Sequence, residues 1–159
     1  MNPPQKQRSK HPPVPSLRET SLLHLRWGWW LLALFGLLGM VLDFFHGFKQ
    51  SFYVADDVQV RRLLWMTAHA GGVVLGMVNI AFAASLHRFA GGLVRVRSSM
   101  SLIAANVAVP GGLFLAGLFL HDERPGTGLV LFYMGALLLL GSLALMARAG
   151  RRSSGSSGG

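Results

Sequence analysis

Four long apolar stretches fill most of this 159-residue chain, and they limit what it can fold into. The stretches span approximately residues 27–49, 63–86, 100–120 and 127–148. A transmembrane helix needs about 20 mostly apolar residues, so each stretch is long enough to cross a bilayer. Short connections favour antiparallel neighbours. The sequence therefore predicts an all-α integral membrane protein, an up-down bundle of four transmembrane helices.

The composition supports one membrane domain, residues 27–148. Only 13% of the residues are charged, whereas a soluble globular domain carries about 25%. Residues 1–26 precede the first stretch; they are basic and rich in proline, and we expect a disordered arm. Residues 149–159 are rich in glycine and serine, which predicts a flexible tail.

The basic residues are distributed as membrane topology requires. Eleven of the 15 Lys and Arg residues lie in the arm, in the connection between the second and third stretches, and in the tail. In an up-down bundle of four helices these three segments share one side of the membrane. The other four are Lys49, Arg61, Arg62 and Arg124. Because basic residues favour the cytoplasmic side, both termini are expected there. These basic segments account for the net charge of +9. We expect them to bind the lipid bilayer and not a nucleic acid.

Three ionisable residues lie inside the first two apolar stretches. Asp43 and His46 belong to the first stretch, and His69 belongs to the second. Such residues are costly in hydrocarbon, so they face the bundle interior or water. Asp43 lies six positions before Lys49 and His69 seven after Arg62. A helical rise of 1.5 Å puts both about 9–11 Å below the outer boundary.

Helical spacing places these residues on faces marked by small residues. Residues three or four positions apart share one face of a helix. On helix 1 this spacing joins Gly36, Gly39, Asp43 and His46. On helix 2 it joins Trp65, His69, Gly72, Gly76 and Asn79. Gly72 and Gly76 form a GxxxG pair, which allows close approach of two helices. We therefore predict an Asp43–His69 pair between the helices, in a candidate polar site with His46, Trp65 and Asn79. In helix 3, Pro110, Gly111 and Gly112 predict close packing and a kink.

Several functions are compatible with such a site. It could bind a small ligand, a proton or a metal, with His46 and His69 as the ligands if a metal is present, or serve a small isomerase or redox enzyme. Two histidines could hold a b-type haem, and these two with Met40 or Met66 could hold copper. The chain has no cysteine, which excludes thiolate sites and disulfides. Alternatively, the Asp–His pair is a structural clasp in an accessory subunit of a larger membrane complex or of a homo-oligomer.

Three segments carry a resemblance to known proteins: GMVLDFFHGF in helix 1, AHAGGVVLGMVN in helix 2 and VPGG in helix 3. With these segments the chain resembles small four-helix bacterial membrane proteins of uncharacterised function, which implies the plasma (inner) membrane. The placement of histidines in helices 1 and 2 is similar to the hydroxylaminobenzene mutase family. Asp43 and the VPGG segment depart from that family. The resemblance therefore implies no mutase activity here and leaves an enzyme possible.

Overall fold

The computed structural model describes residues 15–55, 59–88, 92–120 and 124–154, with only the backbone of 150–154. Most of the predicted N-terminal arm (1–14) and the end of the predicted tail (155–159) lie outside the described residues. The helices are α1 Leu17–Gly47, α2 Ser51–Val54, α3 Gln59–Ser85 with a 3-10 turn at Leu86–Arg88, α4 Gly92–Leu118 and α5 Gly128–Ser154. Within the described residues, α1, α3, α4 and α5 are long and apolar enough to cross a membrane.

The first helix begins at Leu17, ten residues before the predicted start at Trp27. A capping box explains this start. The hydroxyl of Ser16 accepts from Glu19 N at 3.2 Å, and the Glu19 carboxylate accepts from Ser16 N at 2.7 Å. These two bonds satisfy backbone donors that a helix start leaves unpaired. The apolar stretch marks the part of α1 that is apolar enough to cross a bilayer, whereas the cap marks where the helix begins.

The other helices also extend beyond their apolar stretches. The predicted starts of the second and third helices were about 63 and 100, whereas α3 begins at Gln59 and α4 at Gly92. The additional turns of α4 carry Arg95 and Arg97. α5 continues to Ser154, past the predicted end at 148 and into the predicted tail. Charged turns at helix ends lie outside hydrocarbon, so hydropathy does not detect them.

The connection between the first two apolar stretches contains the short helix α2. Lys49 has a φ of 50°, a left-handed backbone turn that reverses the chain after α1. The carbonyl of Gln50 then accepts from the backbone N–H groups of Tyr53 and Val54, both at 2.9 Å. α2 thereby carries Tyr53, only 2% exposed, back against α1 and α3.

Glycines mediate the closest contacts between α1 and α3. A Cβ added to Gly28 would lie 2.9 Å from Gly76 O, and one added to Gly76 would lie 3.0 Å from Gly28 O. Gly72 lies against the ring of Phe35, and Gly39 lies against the imidazole of His69. By contrast, a Cβ on Gly36 would meet no atom within 4 Å, so Gly36 is not a close contact.

α4 and α5 also approach each other through glycine. A Cβ on Gly112 would lie 2.8 Å from Gly128 O, and one on Gly135 would lie 2.8 Å from Val109 N. Gly111, predicted to pack in the same way, has open space around it. Pro110 is buried, and α4 continues through it as one helix.

The exposure of the spans follows their composition. In α5, 11% of the apolar window is buried, against 56% in α4. The uniformly apolar fourth stretch is therefore the most exposed of the spans in the described chain, as its sequence predicts. α4 lies between α3 and α5, and these consecutive helices form the main contacts of the fold together with α1 against α3.

Candidate functional site

A cavity of about 440 Å³ lies where α1 and α3 meet α2. Its walls include three of the residues predicted for the polar site, Asp43, His46 and His69. The remaining lining residues are Gly39, Leu42, Tyr53, Arg62 and Met66. We call this the outer cavity, since it lies at the end of α1 that sequence analysis places near the external side.

His69 is held by the backbone of α1. Its Nδ1 lies 2.5 Å from Phe35 O. A carbonyl oxygen can only accept, so Nδ1 carries the hydrogen and, in the neutral ring, Nε2 keeps its lone pair. Nε2 has no hydrogen-bond partner among the described residues, and it is not one of their fully buried unpaired atoms. His69 therefore presents an accessible base in the outer cavity.

Asp43 and His69 share this cavity without a direct bond between them. In the described part of the chain, no hydrogen bond joins the two side chains, and the partner of His69 is Phe35. The predicted direct Asp–His pair is thus replaced by two groups that face one space. Asp43 and His46 are exposed at the cavity wall. A molecule between Asp43 and His69 could contact both.

Tyr53 and Arg62 complete the outer cavity, and neither follows from the helical spacing that places Asp43, His46 and His69 on their faces. The ring of Tyr53 stacks on Trp65, with centroids 6.3 Å apart. Burial raises the pKa of the Tyr53 phenol, the negative charge of Asp43 raises it further, and the positive charge of Arg62 lowers it. The phenol therefore remains a neutral donor near neutral pH, between groups of opposite charge.

Arg61 and Arg62 are adjacent in sequence but differ in role. Arg61 donates from Nε to Gly117 O at 3.1 Å and from Nη1 to Phe52 O at 3.0 Å. These two bonds tie α2 and the end of α4 to α3. Arg62 lines the outer cavity instead and supplies its positive charge.

Trp65, predicted for the polar site, forms part of its aromatic support. Its indole stacks on Phe114 with centroids 5.0 Å apart, and Nε1 donates to Phe114 O at 3.1 Å. The side chain is 8% exposed and does not line the cavity. Since the Tyr53 ring also stacks on this indole, Trp65 holds that phenol in place.

The geometry limits the metal interpretation. Among the described residues, no group of three or more His, Asp or Glu side chains is placed to hold a metal ion. Asp43, His46 and His69 share a cavity but do not converge on one point.

A second polar cluster lies between α1, α3 and α4, away from the outer cavity. It contains Asn79, which the sequence analysis assigns to the same site as Asp43 and His69. We call it the inner cluster: His24, Asn79, Ser99 and Asn106. His24 and Asn79 are fully buried, and Asn106 is 2% exposed. Asn79 lies ten positions after His69, about 15 Å along α3. The two sites are therefore separate.

Hydrogen bonds join the inner cluster across three helices. Asn79 donates from Nδ2 to Asn106 Oδ1 at 2.8 Å, and Asn106 returns a bond to Asn79 Oδ1 at 3.2 Å. His24 Nδ1 lies 2.7 Å from Asn79 Oδ1, and His24 Nε2 lies 2.8 Å from Ser99 Oγ. The sequence analysis assigns Asn79 to the other site and does not assign His24 to any site. A signal was present, since His24, Gly28, Leu31 and Phe35 recur at helical spacing once α1 begins at Leu17.

Tyr53 provides a measurable test of the outer cavity. The chain has two tyrosines, so Tyr133→Phe leaves Tyr53 alone. We expect its phenolate to form only above pH of about 10. The stability contributed by the neutral phenol should be complete below that pH and lost as the pH rises through the raised pKa. Ultraviolet absorbance of the phenolate, recorded in detergent, measures the titration.

Two further substitutions test the charges around Tyr53. Arg62→Gln should raise the pKa of Tyr53 further, whereas Asp43→Asn should lower it, because each removes one of the charges that act on the phenol. Identical titrations in all three proteins would contradict the arrangement described for the outer cavity.

Comparison of the chain with protein-family models, curated proteins and solved structures finds no match. What the chain does is therefore inferred from the geometry of its own polar sites.

Proposed function

We propose that this chain is a multi-pass protein of a plasma (inner) membrane, folded as an up-down bundle with both termini cytoplasmic. The hydroxyl of Ser21 near the start of α1 donates to Ala83 O near the end of α3. Ser142 in the second half of α5 likewise donates to Ser98 O near the start of α4. A bond between the start of one helix and the end of its neighbour is expected when the two helices run antiparallel. Eleven basic residues belong to the N-terminal arm, the connection between the second and third apolar stretches and the C-terminal tail, which favours the cytoplasm for these segments.

Within this fold, the outer cavity is a binding site for a small polar ligand, with His69 as its proton acceptor. The observation that carries this proposal is the bond from His69 Nδ1 to Phe35 O, which fixes the tautomer and leaves Nε2 as a base. A donor group of the ligand would face Nε2 and Asp43. An acceptor or anionic group would face Arg62 and the Tyr53 hydroxyl.

The position of Asp43 favours a ligand over a structural clasp. A clasp needs Asp43 to bond across the helices, and the bond that does cross here uses the Phe35 backbone. A carboxylate at membrane depth costs several kcal/mol unless it is paired or solvated. Because Asp43 lines the outer cavity, water, a proton or a polar ligand in that cavity could satisfy it.

Cysteine labelling can test both the location and the function of the site. The chain has no cysteine, so Met66→Cys places one thiol at the wall of the outer cavity. We expect a membrane-impermeant maleimide to label it from outside intact cells. Met100→Cys is the matched control, since Met100 is similarly exposed and lies on α4 near the other end. That thiol should react only after permeabilisation.

Protection from labelling then measures binding. A panel of small amines, hydroxy acids and amino acids is added during labelling of the Met66→Cys protein. A true ligand at 100 times its Kd should slow labelling about 100-fold, as expected when it occupies nearly every site. Adding His69→Gln should abolish this protection. Labelling of Met66→Cys only from the cytoplasmic side, or protection that persists with His69→Gln, would refute the proposal.

A further inference from the structure

The inner cluster has a hydrogen-bond arrangement that determines where its protons lie. Both amide hydrogens of Asn79 are used, one by Leu75 O at 2.7 Å and one by Asn106 Oδ1 at 2.8 Å. The atom of Asn79 that faces His24 is therefore the oxygen, and His24 Nδ1 must donate to it. This orientation follows from the whole network, since each amide has one consistent placement.

The other nitrogen of His24 faces a group that can reverse its role. Nε2 lies 2.8 Å from the hydroxyl of Ser99. When the ring is neutral, Ser99 donates to Nε2; when the ring is protonated, Nε2 donates and the hydroxyl oxygen accepts. Rotation of one hydroxyl hydrogen therefore satisfies both charge states without moving a heavy atom.

Ser99 also separates His24 from a cavity. A space of about 350 Å³ lies between the N-terminal parts of α1 and α4, and Glu19, Thr20 and Ser99 provide its polar lining groups. His24 is fully buried, whereas Ser99 is 7% exposed. A proton reaching His24 from this cavity would therefore arrive by way of the Ser99 hydroxyl.

Within the described part of the chain, the hydrogen-bond partners of His24 are polar side chains and none of them is charged. Asn79 faces it from α3, Ser99 from α4, and the Phe82 ring packs edge-on at 4.4 Å. Among the described residues, the charged or titratable groups at this end of α1, α3 and α4 are Arg18, Glu19, Arg26, His87, Arg88, Arg95 and Arg97. Glu19 accepts from Ser16 N, and Arg95 donates to Pro15 O.

We propose that His24 is a second proton-binding site, which takes up a proton from the cavity between α1 and α4 through the hydroxyl of Ser99. The hydroxyl passes its hydrogen to Nε2 while a hydronium in the cavity returns one to Oγ. The products are an imidazolium, an intact serine and water. This site lies on the side of the chain termini and is independent of the ligand proposed for the outer cavity.

Nitrogen-15 NMR of the full chain in lipid bilayers tests the proposal. The six histidines are labelled, and the His24 signals are assigned by their loss in a His24→Gln protein. At neutral pH we expect the neutral ring with hydrogen on Nδ1. As the pH is lowered towards the acid limit of the folded protein, the signals should become those of an imidazolium. A ring that stays neutral in folded protein at that limit would overturn the proposal.

Adjacent serines supply matched variants for the route. Ser99→Ala should slow proton exchange at His24 at least tenfold, and Ser99→Thr, which keeps a hydroxyl, should restore it. Ser98→Ala is the control, since the Ser98 hydroxyl is buried without a hydrogen-bond partner. Equal exchange rates in the Ser98→Ala and Ser99→Ala proteins would overturn the route. If Ser99→Ala does not fold, the wild-type titration and the Ser99→Thr rate decide the proposal.

Discussion

Gly112→Ala should lower the free energy of unfolding by about 3 kcal/mol, the upper part of the range for overpacked sites. The added methyl carbon would lie 2.8 Å from Gly128 O and still closer to the backbone nitrogen of Phe132. Both obstacles are backbone atoms, so no side-chain rotation relieves them. The two helices must separate, and this is the contact that holds the largely exposed α5 in place.

The neighbouring glycine supplies the control. Gly111 has open space where its Cβ would be, so Gly111→Ala should be neutral or stabilising by up to about 1 kcal/mol, because alanine is the better helix former. Circular dichroism during thermal or SDS unfolding in detergent measures both variants. Similar unfolding curves for Gly111→Ala and Gly112→Ala would contradict the α4–α5 contact described here.

Asn79→Ala should cost about 3 kcal/mol, because one side chain supports bonds to three groups. Asn79 contacts His24 Nδ1, Leu75 O and the amide of Asn106. Interhelical bonds in membranes average about 0.6 kcal/mol each and reach about 1.7. The truncation also leaves buried polar groups without partners, which costs about 1–3 kcal/mol. Asn79 is fully buried, so water would not replace it.

Two further variants provide a comparison for the loss of stability in Asn79→Ala. Asn106→Ala loses only the bonds to Asn79 and should cost less than Asn79→Ala. Thr67→Ala on the same helix loses a bond to the carbonyl four residues earlier, as Asn79 does, but Thr67 is exposed. Its effect should stay within about 0.5 kcal/mol. If Thr67→Ala destabilises the protein as much as Asn79→Ala, the inner cluster contributes nothing beyond local helix bonds.

Part of the candidate site followed from periodicity in the sequence. Asp43 and His46 share a helical face, and counting residues from the basic ends put His69 at a similar depth. The structure places all three at one cavity. Periodicity could not provide Tyr53 and Arg62, because their positions depend on α2 folding back over α3. It also could not show that His69 bonds to a backbone carbonyl, since backbone acceptors leave no mark in the sequence.

His24 and Asn79 show a different limit. Both lie on faces that helical spacing identifies, but spacing alone does not say which residues on two faces meet. Because hydropathy puts the start of the first helix at the apolar boundary, it leaves His24 in the predicted N-terminal arm. The capping box at Ser16 and Glu19 extends the helix and carries His24 into the interior.

By itself, the sequence determined the number of apolar spans, the faces that carry small and polar residues, and the asymmetry of basic charge. These properties follow from hydrocarbon thickness and helical geometry, which act on each segment separately. The tertiary structure alone decided how the polar residues divide into two clusters, and which glycines touch a neighbour. Those outcomes depend on the register between helices, which the combined packing of all contacting side chains sets.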